Sequence, residues 1–142
     1  MILRSENEEE TITAGEKFAT GLKPGDVLGL EGELGSGKTR FVKGICRHFR
    51  VIDRVNSPTF ILVNEYTGEV PDVGGQITIY HFDLYRIINP AELDTIGFNE
   101  YIRKDSIVII EWCEFAEKYL GKVFNKVRFE HGDDENIRII KF

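Results

Sequence analysis

The chain has 142 residues, 42% hydrophobic and 30% charged, which places it among soluble globular proteins and suits one domain of ordinary size. Its formal net charge of −6 argues against a self-sufficient nucleic-acid binder, which must neutralise phosphates with Lys and Arg, so any nucleic acid would reach it through a partner. The N-terminus lacks the basic region and apolar run of a signal peptide, no stretch has the length of a membrane span, and Cys46 and Cys113 show no CxxC spacing; a cytoplasmic protein with reduced thiols is expected.

After an acidic start, Thr13-Ala14-Gly15-Glu16 has capping-box spacing, and Ala14, Phe18, Ala19 and Leu22 recur at helical intervals. A helix over about 13–22 is predicted. Lys23-Pro24-Gly25-Asp26 then turns the chain into Val27-Leu28-Gly29-Leu30-Glu31, a short apolar strand. The next stretch, Gly32-Glu33-Leu34-Gly35-Ser36-Gly37-Lys38-Thr39, matches the P-loop pattern G-x-x-x-x-G-K-[ST], and a helical period opens at Lys38. That helix carries Phe41, Val42, Ile45, Cys46 and Phe49 on one stripe, leaves Lys43, Arg47 and His48 toward solvent, and should end near Arg50.

Each P-loop position has a physical task. Gly32, Gly35 and Gly37 can take positive φ and let backbone N–H groups close on phosphate oxygens where a side chain would block them. Lys38 reaches the β and γ phosphates as a point charge, and the Thr39 hydroxyl offers a ligand to Mg²⁺ at a helix N-terminus that already favours anions. A triphosphate site is predicted.

Beyond the loop helix, Ser57-Pro58-Thr59-Phe60 introduces a strand over 60–66, and a second strand covers 76–82. The intervening Gly68, Pro71, Gly74 and Gly75 suggest an antiparallel hairpin. Asn89-Pro90-Ala91-Glu92-Leu93 resembles a capped helical turn, with a second helical piece around 99–102. Ser106 to Ile110 is a continuous apolar run ending in Glu111-Trp112, as expected of a strand buried on both faces of a parallel sheet. A helix over 114–120 and a closing hairpin, 126–130 with 136–141, complete the chain.

In open α/β sheets ligands bind beyond the carboxyl ends of parallel strands. If the strand ending at Glu111 runs parallel to the one feeding the P-loop, Glu111 faces the phosphates as the second acid of the metal site; otherwise it is an exposed carboxylate at a strand end. Asp83 either serves as the base or water-orienting group for attack on the γ-phosphate or caps the following turn. Thr59 is either a sensor of the γ-phosphate or the start of a strand. His48, His81 and His131 have no ligand spacing and are expected at the surface or half-buried.

Taken together, Gly32 to Thr39, Ser57-Pro58-Thr59-Phe60, Tyr80-His81-Phe82-Asp83-Leu84-Tyr85-Arg86 and Ile110-Glu111-Trp112 resemble, in order and spacing, the bacterial TsaE (YjeE) ATPases. The resemblance runs from Glu8 to Trp112. It implies an α/β, P-loop NTPase-like fold, three layers (α/β/α) around a mixed, partly parallel sheet in a single domain over 1–142. It also implies Mg²⁺-dependent ATP hydrolysis, supporting threonylcarbamoyl transfer to adenosine 37 of tRNA by the TsaD and TsaB proteins. By resemblance Thr39 and Glu111 bind Mg²⁺, Lys38 holds phosphate, Asp83 serves hydrolysis, and Trp112 lies beside the nucleotide. Glu8 matches an acidic position near the nucleotide, and Gly35, Ser36, Gly37 and Arg40 complete the implied ATP contacts.

The family loop usually reads GDLGAGKTT, and Glu33, Ser36 and Arg40 depart from it in ways compatible with phosphate binding. Phe49-Arg50-Val51 replaces a usual glycine, and the region after Trp112 carries no family signature. Three other readings compete. A small-molecule kinase would need an arginine-rich lid, which is not visible here. A GTPase is disfavoured because Asp94-Thr95-Ile96-Gly97 follows no apolar strand and Asn125-Lys126-Val127-Arg128 lacks the guanine-reading aspartate. The third is a binding subunit that uses ATP only as a conformational ligand.

Overall fold

The computed structural model describes residues 1–55, 63–89, 91–114, 116–117 and 125–142. Its strands are β1 (Ile2–Ser5), β2 (Val27–Gly32), β3 (Val63–Glu69), β4 (Gln76–Asp83), β5 (Ser106–Glu111), β6 (Asn125–His131) and β7 (Arg138–Lys141). The helices are α1 (Glu8–Ala19), α2 (Lys38–His48) and the short α3 (Glu92–Thr95), followed by a 3₁₀ turn at Phe98–Tyr101. All seven strands form one sheet in the order β1-β7-β6-β2-β5-β4-β3. The four central strands β6, β2, β5 and β4 are parallel, while β1, β7 and β3 pair antiparallel at the two sides.

The pleat sorts the core into two layers. Leu28 and Leu30 of β2, Ile77 and Ile79 of β4, Ile107 and Ile109 of β5, and Val127 and Phe129 of β6 face α1 and α2. Phe82, Val108 and Ile110 face the other way, onto Leu93 of α3 and Phe98. β5 is buried at every position, as a strand covered on both faces must be. Among the described residues Cys113 and Ala116 also belong to this second layer.

The stripe predicted on α2 is the buried one: Phe41, Val42, Ile45, Cys46 and Phe49 all lie in the core. Against it packs α1, and the approach is set by two helical glycines. A Cβ on Gly44 would collide with the Ile12 carbonyl, and a Cβ on Gly15 with the Phe41 carbonyl. Backbone therefore touches backbone at the crossing, which holds the P-loop helix against the N-terminal one.

One expectation needs correction. The first helix begins at Glu8 rather than near Thr13, because Asn7 is the cap that forms. Its side chain accepts from the Glu10 amide at 2.8 Å, while the Glu10 carboxylate accepts from the Glu6 amide at 2.7 Å. The acidic run thus becomes the first turn of a helix, where its charge suits the N-terminal end of the dipole. The segment before it is a strand, β1, recruited by β7 rather than by any local signal.

Thr59 lies outside the described residues. So does most of the helix expected over 114–120, of which one turn is seen, the Glu117 amide donating to the Cys113 carbonyl at 3.0 Å. Among the described residues no helix is long and apolar enough to cross a membrane.

Candidate active site

Between the carboxyl end of β2 and the first turn of α2 the chain makes the tight bend that its glycines permit. Gly32, Gly35 and Gly37 have φ of +153°, +75° and +102°. Nothing lies within 4 Å of the space a Cβ on Gly35 would fill, and Gly35 lines a cavity. No side chain caps α2 at Gly37 among the described residues, and the amides of a first helical turn lack intrahelical acceptors. The buried Ser36 hydroxyl likewise has no hydrogen-bond partner among them. An anion with several oxygens fits this arrangement.

Lys38 is only 5% exposed, its ammonium donating to the Gly32 carbonyl and lying 3.9 Å from the centre of the Trp112 ring. Burial pulls its pKa down, and the nearby Glu111 and Asp83 carboxylates pull it back up. Trp112 has φ of +60°, a strained value for a bulky residue; its ring also packs on Tyr85, with centroids 4.9 Å apart.

β2 and β5 are parallel, with Leu30 in register with Glu111, so the condition placed on Glu111 is met. Glu111 is 3% exposed rather than a solvated strand end. Thr39 Oγ1 lies 3.3 Å from both of its carboxylate oxygens. A hydroxyl and a carboxylate are hard oxygen donors, and the pair fits Mg²⁺, which takes a few protein oxygens and keeps waters and phosphates for the rest.

Asp83 ends the neighbouring β4 in register with Glu111. It accepts from the Tyr85 amide at 3.0 Å, so it does cap its turn, and it also lines the same cavity. Burial holds its carboxyl above the ordinary range, with the Tyr85 amide opposing.

That cavity, about 500 Å³, is lined by Gly35, Ser36, Gly37, Lys38, Thr39 and Arg40 of the loop and by Asp83, Glu111 and Trp112 at strand ends. Glu8 also lines it and pairs with Arg40 at 3.2 Å. Glu8, Gly35, Ser36, Gly37, Lys38, Thr39, Arg40, Asp83, Glu111 and Trp112 therefore all reach one cavity, while Thr59 lies outside the described residues.

Three features escaped the sequence reading. Asn136 and Arg138, from the C-terminal segment, line the cavity because β6 lies beside β2 and the β6–β7 hairpin carries Arg138 over Gly37. Lys43, expected toward solvent, lines it too, one helical turn beyond Thr39. His81 is fully buried, not a surface histidine, with Nε2 2.5 Å from Glu111 Oε2. The alternation of β4 was the available signal, since His81 follows Ile77 and Ile79 on one face.

The chain is similar to known proteins over most of its length. A family model described as "Threonylcarbamoyl adenosine biosynthesis protein TsaE" matches residues 5–140. The protein of that name from Bacillus subtilis is 37% identical over 133 residues, 93% of this chain and 79% of its own length. The Haemophilus influenzae one is 36% identical over 140 residues, 94% of this chain and 85% of its own. A crystal structure of YdiB from Bacillus subtilis superposes with a TM-score of 0.76 at 31% identity, covering 99% of this chain and 82% of that one. With the family model matched over residues 5–140 and relatives more than 30% identical over nearly the full length, this chain belongs to the TsaE family.

Proposed function

We propose that the chain is the ATP-binding, Mg²⁺-dependent ATPase subunit of tRNA threonylcarbamoyladenosine synthesis. In this reading it supports threonylcarbamoyl transfer to adenosine 37 by TsaD and TsaB, in the cytoplasm, and meets tRNA only through that complex. The observation that carries the reading is the contact between Thr39 and Glu111, 72 positions apart, beside an open glycine bend and a buried lysine. That constellation serves phosphoryl chemistry, in which positioning and charge neutralisation do most of the catalysis.

In this mechanism the loop amides and Lys38 hold the phosphates. Thr39 and Glu111 would hold Mg²⁺, which would supply positive charge against the phosphates. Asp83 orients the attacking water, its raised carboxyl suiting it to accept a proton. Trp112 lines the site and stacks its ring beside the Lys38 ammonium.

The two arginines in the cavity already hold protein oxygens, Arg40 on Glu8 and Arg138 on the carbonyls of Glu135 and Ile137. Turnover by the isolated chain should therefore be weak and should rise with TsaD and TsaB. A kinase would need those arginines on the transferred group. Calorimetry with Mg²⁺ and ATP, followed by multiple-turnover tRNA modification with TsaD and TsaB in the presence and absence of this chain, tests the proposal. Absence of binding heat ends it; binding without hydrolysis leaves the ATP-sensing subunit; a rate that depends on a sugar or nucleoside acceptor favours the kinase.

A further inference from the structure

On β4 and β5 the odd-numbered positions point toward α2, and there the apolar series Ile77, Ile79 and Ile107, Ile109 end in His81 and Glu111. A polar pair thus replaces two hydrophobes beneath the first turn of α2. His81 is 0% exposed and Glu111 3%, and their contact of 2.5 Å is charge-assisted. On its other side His81 Nδ1 lies 3.2 Å from the Tyr66 hydroxyl, whose oxygen accepts from the Asn64 amide at 3.4 Å.

Hydrogen-bond inventory orients this chain. An ionised carboxylate has no proton to give, so Nε2 carries the hydrogen and donates to Glu111. With Nε2 as the donor, Nδ1 is left to accept, and the Tyr66 hydroxyl, whose oxygen takes the Asn64 amide, is placed to donate to it. The polarity runs from β3 through β4 to β5. Packing alone does not ask for it, since burying three polar groups within an apolar layer is unfavourable unless each is satisfied. An isoleucine at 81 would continue the face.

The arrangement holds one carboxylate oxygen and so stops Glu111 from rotating, while Thr39 lies 3.3 Å from both oxygens. We propose that His81, kept in its Nε2–H tautomer by Tyr66, is a positioning residue that aims the Glu111 carboxylate at a divalent cation shared with Thr39. This rests on the metal-dependent reading above. Metal ligands are commonly oriented by such outer hydrogen bonds, and losing one lowers metal affinity by about 10–100-fold.

The test separates cation from nucleotide on the full chain. Trp112 fluorescence follows ADP binding in EDTA, and electron paramagnetic resonance follows Mn²⁺ in saturating ADP. His81→Leu should weaken Mn²⁺ by about 10–100-fold with metal-free ADP affinity unchanged. His81→Gln, whose amide can stand where Nε2 stood, should recover most of that loss. Tyr66→Phe should shift Mn²⁺ affinity the same way by less.

Unchanged Mn²⁺ affinity in Tyr66→Phe and His81→Leu overturns the proposal, as does an equal loss in His81→Leu and His81→Gln, which would indicate packing. Should His81→Leu fail to fold, Tyr66→Phe decides: weakened Mn²⁺ binding with normal ADP binding supports the proposal, and normal binding of both overturns it. Wild-type protein that binds neither ADP nor Mn²⁺ would sink the nucleotide reading itself, before any variant is made.

Discussion

β2 and β5 are neighbouring parallel strands that each end an apolar run in a glutamate, yet the two carboxylates have opposite fates. Glu111 shares a face with Ile107 and Ile109, lies under α2 and meets Thr39. Glu31 alternates with Leu28 and Leu30, so it points to the opposite layer, where Lys126 at 3.0 Å and Arg128 at 2.8 Å neutralise it. The register of β6, which sets Glu31 opposite Arg128, supplies the cations. One residue of pleat phase separates a candidate metal ligand from a structural ion pair.

Variants can break this contrast. The largest effect is expected on the glycine bend that both strands serve: Lys38→Ala should lower ATP turnover by about 10²-fold or more, by analogy with losing one preorganised charge-stabilising donor. A steady-state assay with a small change would remove Lys38 from the mechanism. Next, Glu111→Gln should weaken Mn²⁺ binding by at least the 10–100-fold typical of losing an outer partner, whereas Glu31→Gln should leave it alone. Equal Mn²⁺ affinities in the two variants would erase the distinction.

Gly44→Ala follows in size. Alanine favours a helix over glycine by about 1 kcal/mol, but here its methyl meets the Ile12 carbonyl, and overpacking of about 1–3 kcal/mol should win. A urea midpoint at or above wild type would show that α1 can move aside.

The smallest effects sharpen the contrast through pH. For Glu31 burial opposes ionisation, but Lys126 and Arg128 more than offset it and hold the carboxyl below its ordinary 4.5. As pH falls the unfolded chain takes up this proton first, so the contribution is full above about 4.5 and is lost as pH drops through the lower folded value. Asp83 has the opposite sign. Burial raises it above its ordinary 3.8, the unfolded carboxyl ionises first, and stability is lost as pH rises from about 3.8, the loss being complete above the higher folded value. Urea midpoints from pH 3 to 8 check both signs. Glu31→Gln should lose stability near neutrality and converge with wild type in acid, while Asp83→Asn should match or exceed wild type near neutrality. The reverse order would mean that the two environments have been exchanged.

How far the molecule is legible from its residues depends on the range of the interaction. The bend at Gly32 to Thr39 and the stripe of α2 are local, so motif and period located both, and the apolar run of β5 announced its burial. The antiparallel pairing of β3 with β4 also followed from local turn residues. The start of α1 was misplaced because two cap patterns compete within a few residues, and the choice of Asn7 is made where Ser5 and Thr11 bury their hydroxyls against each other at 2.7 Å. β1 had no local signal, because its partner is at the far end of the chain.

What the sequence alone determined is the chemistry on offer: an open glycine bend, a lysine, a hydroxyl and strand-end acids, since each depends on residue type and nearest neighbours. Tertiary structure decided which of these groups meet. Placing β6 beside β2 carried Arg138 to the cavity and gave Glu31 its cations; stacking β3, β4 and β5 put Tyr66, His81 and Glu111 in one hydrogen-bonded line. Strand order and pleat phase arise from burying a whole sheet at once, and no short window of residues contains that information.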